Sequence, residues 1–317
     1  MNARVRLLDT MGKAGMAMLV AAVLTGHAAI SLAQEGTAQK TFATPEAASE
    51  ALIKAFRGQN EEALLDIFGR EHEELVVMTD KVAFRTALEE LQRMAEEKLQ
   101  WAEEGQDTRI LTLGTEDWPF PIPLVREAGG WRFDTAAGAE EILNRRIGEN
   151  ELEAIANCKA YVGAQVDYAR RDRDGDEVLE YAQRIMSTPG KKDGLYWEIE
   201  DDQEELSPFG PLLADAAAYL EAHAAGKSPY KGYYYNMLTR QGPNPPGGQY
   251  DYVINGNMIA GFALVACPAD YGTSGVMTFM VSHHGKVYEK DLGEKTHEIV
   301  RAMSAFDPDD TWKAVQD

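Results

Sequence analysis

The chain has 317 residues, 44% of them hydrophobic, enough apolar material for two cores of ordinary domain size. Its 52 acidic residues outnumber 31 basic ones, giving a net charge of −21. A surface of that sign repels phosphate backbones and anionic headgroups, so nucleic acid is not an expected partner and cations are favoured.

In chain order, Arg4, Arg6 and Lys13 come first, then the apolar run GMAMLVAAVLTG, then the small residues Ser31 and Ala33. This order predicts a secretory signal peptide over residues 1–33, cleaved after Ala33. An uncleaved anchor is the second reading, and the apolar run falls short of the ~20 residues a span requires. No later stretch is long and apolar enough to span. The expected product is therefore exported, periplasmic or secreted, with no stable membrane span once the signal is gone.

Residues 34–41 form a polar linker, and an α+β domain is expected over 42–147. Thr44 suits an N-cap and Pro45 a first helical position, with Ala48, Leu52, Ala55 and Phe56 at helical spacing. EEALLDIF predicts a second helix. KVAFRTALEELQRMAEEKLQWAEE predicts a third, with Phe84, Leu88, Leu91, Ala95 and Leu99 as its apolar stripe. Strands follow at TRILTLG, PIPLVRE and GWRFD, the last two joined through Gly129 and Gly130 as a hairpin. Pro119, Pro121 and Pro123 alternate, which places their missing N–H groups along one side, as at a sheet edge. Helices followed by a small antiparallel sheet ending in GGWRFD resemble the cone-shaped fold of nuclear transport factor 2-like domains.

The second expected domain, 148–317, begins within a long amphipathic helix from Ala137 to about Arg171, with Ile155, Cys158, Val162 and Val166 on its apolar face. A further helix is expected at GPLLADAAAYLEA. Strands are expected at YKGYYYNMLT, QYDYVI, NMIAGFALVA, VMTFMVS and KVYEKDL, with two-residue turns at Asn255-Gly256 and His284-Gly285. A helix at EKTHEIVRAMSAF follows. This half faintly resembles the globular part of type IV pilins and pseudopilins, in which a long helix packs on an antiparallel sheet. In pilins that helix is membrane-inserting, whereas here it is internal and polar at RRIGENELE. The fold class read for the whole chain is α+β, in two small domains, the first cone-like and the second pilin-like.

Three long stretches, EDWPFPIPLVREAGGWRFDTAAG, RDRDGDEVLEYAQRIMSTPGKKDGLYW and GGQYDYVINGNMIAGFALVACPADYGTSGVMTFMVSHHGKVYEKDLG, carry a second resemblance. They are similar to a family of secreted bacterial proteins defined by domain of unknown function 2950. The resemblance implies export and supplies no catalytic residues.

The sharpest candidate site is ARRDRDGDEVLEY. Calcium takes several oxygens at close range, and Asp172, Asp174 and Asp176, with the carbonyl of Val178 and the carboxylate of Glu180, supply them at alternating positions. An EF-hand loop is not matched, because Gly175 falls one place early and Gln183 stands where a bidentate Glu belongs. Glu177 stands where short calcium loops usually have glycine, which strains the turn. The competing reading is a helix end whose aspartates pair with Arg170, Arg171 and Arg173.

Cys158 and Cys267, exported, are expected to form a disulfide closing a loop of roughly 110 residues, worth about 4–5 kcal/mol. Two separately buried thiols are the alternative. His72, His223, His283, His284 and His297 form no zinc pattern, and His283 and His284 are expected on opposite sides of a strand end. Ser274 in GTSGV and Cys267 in ACPAD match no nucleophile motif. Tyr233 to Tyr235, with Tyr250 and Tyr252, read either as a glycan or peptide platform or as ordinary strand composition. PNPPGGQ reads as a hairpin connector.

These readings converge on a non-enzymatic envelope protein that binds an envelope protein or glycan, with calcium as its one expected cofactor and no catalytic residues. The alternatives are a hydrolase of cell-envelope polymers and an accessory subunit of a secretion or pilus-type assembly.

Overall fold

The structure is a computed structural model that describes residues 38–77, 81–173, 175–197, 205–209 and 229–316. The expected signal peptide and the helix expected at GPLLADAAAYLEA lie outside the described residues. No helix among those described is long and apolar enough to cross a membrane. The chain divides into two compact units between Arg146 and Ile147.

In the first unit, α1 (Pro45–Arg57) starts where Thr44 accepts a hydrogen bond from the Ala47 N–H, and it buries Ala48, Leu52, Ala55 and Phe56. The Asn60 side chain caps α2 (Glu61–Phe68) in the same way, through the Ala63 N–H. Helix α3 (Lys81–Glu97) buries Phe84, Leu88, Leu91 and Met94, but it ends seven residues before the expected limit. Instead, Leu99–Glu103 forms strand β1, paired antiparallel with β2 (Thr108–Leu113). The reason is local hydrogen bonding. The Gly114 N–H donates to the carbonyls of Met94 and Lys98 and so closes the helix end from outside, while Leu99 and Trp101 have the alternation a strand can use.

The sheet runs β1-β2-β4-β5, with β4 (Leu124–Glu127) and β5 (Gly130–Phe133) as the expected hairpin and β3 (Trp118–Pro119) paired beside β2. Gly130 has φ +122, and a Cβ there would stand 2.6 Å from the Phe42 carbonyl oxygen. Of the three alternating prolines only Pro119 enters a strand. Phe133 is fully buried at the centre, with the rings of Phe68, Phe42 and Phe120 at 5.5, 6.3 and 6.4 Å.

The 34-residue helix α4 (Thr135–Tyr168) crosses the division of the chain. Its second half buries Ala154, Cys158, Tyr161, Ala164, Gln165 and Tyr168, while Val166 is 46% exposed and Ile155 and Val162 are only partly buried. The apolar face is thus rotated from the one expected. Small alanines allow close approach and the two tyrosines fill the space between helix and sheet, so fit outweighs the hydropathy of Val166.

The sheet of this second unit is antiparallel, in the order β14 (Lys313–Ala314), β13 (Val287–Asp291), β12 (Met277–Ser282), β11 (Ala263–Pro268), β6 (Tyr233–Leu238). Every residue of β11, an inner strand between β12 and β6, is buried. Two separate two-stranded pairs accompany it, β7 (Arg240–Gln241) with β8 (Tyr250–Asp251) and β9 (Val253–Ile254) with β10 (Asn257–Met258). Asn255 and Gly256, at φ +53 and +99, make the tight turn between β9 and β10. Helix α5 (Thr296–Ala302) is shorter than expected, because Met303 turns extended. Both units are α+β, with helices against open antiparallel sheets.

Fully buried Gln165 holds the chain after α4 in place. It donates to the Ala182 carbonyl at 2.9 Å and accepts from the Ala182 N–H at 2.8 Å, as a neighbouring strand would. It also donates to the Tyr161 hydroxyl at 3.0 Å. Gln165→Ala leaves two buried backbone groups unpaired, and urea unfolding is expected to show a loss of about 2–4 kcal/mol at an unchanged m-value.

Candidate functional site

The acidic loop leaves α4 after Tyr168, and Arg173 anchors its base. Its guanidinium lies over the rings of Tyr168 and Trp197 at 4.5 and 5.6 Å and donates to the Tyr168 carbonyl. With 7% of its side chain exposed, Arg173 reaches Glu205 at 2.8 Å, where Arg171 joins at 3.0 Å and Lys192 at 3.7 Å. Arg170 pairs with Asp167 at 3.1 Å. The arginine charges thus go to Glu205 and Asp167, neither of which belongs to the loop.

Its own carboxylates bind backbone. Asp172 accepts from the N–H groups of Gly175 and Glu177 at 2.7 and 2.9 Å. Asp176 accepts from the Val178 N–H at 2.8 Å and the Asn257 amide at 2.7 Å, and Glu180 from the Met258 N–H at 2.9 Å. Glu177 has φ +69, the left-handed strain its position implied, at a cost of roughly 1–2 kcal/mol. Hydrogen bonds to ionised carboxylates are strong, and here they hold this turn closed. Among the described residues no group of three or more His, Cys, Asp or Glu is arranged to hold a metal ion. Asp174 lies outside the described residues.

The disulfide expectation is corrected, since Cys158 on α4 and Cys267 on β11 are both buried and both free. Burial pushes the Cys158 thiol up to about 12 and the Cys267 thiol up to about 11. They behave as small apolar side chains, and neither is a nucleophile at neutral pH.

Ser274 closes a turn, donating to the Asp270 carbonyl at 3.2 Å and accepting from its N–H at 2.9 Å. Beside it, Glu151 of α4 accepts from the N–H groups of Val276 and Met277, both at 3.0 Å. The tyrosines are spent on structure. Tyr233 donates to the Met277 carbonyl at 2.9 Å, and Tyr235 takes the Asn157 amide at 3.1 Å. Burial raises the phenols of Tyr233, Tyr235 and Tyr252 above their ordinary value, which suits strand residues turned into a core better than a surface platform.

The Pro-Gly connector is pinned from both sides. Fully buried Gln241 donates to the carbonyls of Pro246 and Gly248 at 2.9 and 2.8 Å, and Asp307 accepts from the Asn244 N–H and side-chain amide at 2.9 Å each. Nothing in the local sequence announces Gln241, which acts through a fold-dependent contact. His283 and His284 sit in the turn after β12, not on the strand, and their ring centroids are 4.2 Å apart at 40°.

In the first unit a groove of about 450 Å³ runs along α1. Ile53, Ala95 and Leu99 give it an apolar floor, and Glu50, Lys54, Arg57 and Glu96 a charged rim. Arg57 and Glu96 meet across it at 3.3 Å, both more than half exposed. Such a pair holds little energy. The groove depends on where α3 stops, since Ala95 and Glu96 lie at the end of that helix and Leu99 begins β1.

The geometry defines a two-unit α+β protein with a hydrogen-bonded acidic loop and an open amphipathic groove. Residues 39–315 match the model of the protein family of unknown function DUF2950, and the chain belongs to that family. No curated protein matches the chain, and no solved structure does. The likenesses to nuclear transport factor 2-like domains and pilins are thus without a structural match.

Two expectations follow. A thiol assay on denatured, unreduced protein should count both cysteines as free, with neither reacting in the folded state. Thermal unfolding should be equal in calcium and in chelator, because both carboxylate oxygens of Asp172 and of Asp176 already have donors. A calcium-dependent rise that Asp174→Asn removes would establish a bound ion.

Proposed function

We propose that the chain is an exported envelope protein that binds rather than catalyses, with the groove along α1 as its contact surface. The observation that carries this reading is the groove's construction. Its volume is in the range of sites that take small ligands or side-chain anchors, and its apolar floor supplies contact area while its mixed-charge rim supplies selectivity. The Arg57–Glu96 pair is weak enough to open for an incoming group. Export is inferred from the order of Arg4, Arg6, Lys13, the apolar run and Ala33.

The residues considered for chemistry argue the same way. Ser274 is engaged with the Asp270 backbone, and the two thiols are buried and neutral. The partner is a protein or glycan of the envelope. Ile53→Glu places a carboxylate on the groove floor and is expected to abolish crosslinking of the exported protein to its envelope partner while leaving thermal unfolding near that of the parent. Turnover of an envelope polymer by the purified protein, lost on Ser274→Ala, would overturn the reading.

A further inference from the structure

We propose that the turn carrying His283 and His284 is a proton-operated latch that holds the Pro-Gly loop, residues 243–248, in the second unit. The latch is a continuous chain of contacts. The His283 ring lies against Gly261, whose φ of +149 and missing Cβ make room for it, since a Cβ there would stand 2.7 Å from Nδ1. It meets the Tyr252 ring edge-on at 5.6 Å and the Phe262 ring at 6.1 Å. Tyr252, fully buried, donates to Oε1 of Gln241 at 3.3 Å, and the same Gln241 amide holds the carbonyls of Pro246 and Gly248. Displacement of the His283 ring therefore reaches the loop through two side chains.

Protonation supplies the displacement. Nδ1 of His283 is buried without a hydrogen-bond partner, so an imidazolium there would carry an unpaired N–H. The titratable groups set against the ring are His284 from its own turn, at 4.2 Å, and Tyr252 from the segment between β8 and β9. Gly261 and Phe262, ahead of β11, bring none. Lys286, further along the turn, lies over the Tyr288 ring at 5.2 Å. Among the described residues no carboxylate is set against His283 to receive its charge. Burial, then the neighbouring His284, hold the His283 pKa below the ordinary imidazole value, with the Phe262 backbone opposing them in part.

The unfolded chain, with an imidazole pKa of about 6.5, binds the proton more readily than the folded one. The latch is fully closed above about pH 6.5 and weakens as pH falls from there towards the folded-state value. The window begins above the range in which exposed carboxylates titrate. It makes the loop responsive to mild acidification, a condition to which an exported protein is open. The inference is independent of the groove, which belongs to the other unit.

The test is hydrogen exchange of the peptide spanning residues 243–249 in the purified protein at pH 7.5 and 5.5, corrected for intrinsic rates. Protection should fall severalfold at the lower pH in the parent and stay constant in His283→Phe, which keeps an aromatic ring over Gly261. Constant protection in the parent, or an equal fall in the variant, would overturn the latch. If His283→Phe does not fold, the parent's His283 is titrated by NMR, and a midpoint at or above 6.5 overturns the proposal. His284→Gln should move that midpoint upward, and an unmoved midpoint would overturn the pairing of the two rings.

Discussion

Gln165 meets a constraint on which the whole second unit depends, that backbone polar groups removed from water must be paired. The central sheet satisfies itself, but much of this unit is irregular chain with strands of only two residues. There the missing partners are side chains. Gln165 stands in for a strand beside Ala182, Gln241 for one beside Pro246 and Gly248, and Glu151 receives the N–H groups that lead into β12. Each is a polar residue on a regular element, facing a stretch without regular neighbours. The helix and sheet thereby impose their order on loops that have none.

The same constraint explains the acidic loop. Carboxylates spaced two apart suggest a cation when read as free oxygens. In the folded chain the turn's own N–H groups are the nearest donors, and left-handed Gly175 and Glu177 bring them inward. Arg173, between Asp172 and Asp174, points elsewhere because Glu205, Tyr168 and Trp197 offer its guanidinium a largely buried seat. The described bonds of this turn run from its carboxylates to backbone N–H groups, partners that a reading of side chains alone leaves out.

Much of the fold was legible where one signal dominated. Thr44 and Pro45 mark a helix start and Asn255-Gly256 a turn, because each rests on nearest-neighbour sterics and hydrogen bonds. Legibility failed where two signals competed. The apolar repeat through Leu99 continues a helix on paper, yet Gly114 terminates it from a position fifteen residues later. Val166 is more apolar than Ala164, yet Ala164 is the one buried, because the space beneath the helix is set by the sheet. The candidate site was less legible still. His283 and His284 were expected at a strand end with their side chains on opposite sides, and in the turn that follows β12 their rings come together.

The sequence by itself determined the α+β class, the acidic surface, the export signal as an expectation, and the family, through long motifs. These are properties of composition and of local order, carried by residues close together in the chain. Only the tertiary structure decided that the thiols stay apart, that the loop oxygens face backbone, that a groove opens beside α1, and that Gln241 ties Tyr252 to the Pro-Gly loop. Those facts depend on distances between residues remote in sequence, which packing sets and periodicity does not encode.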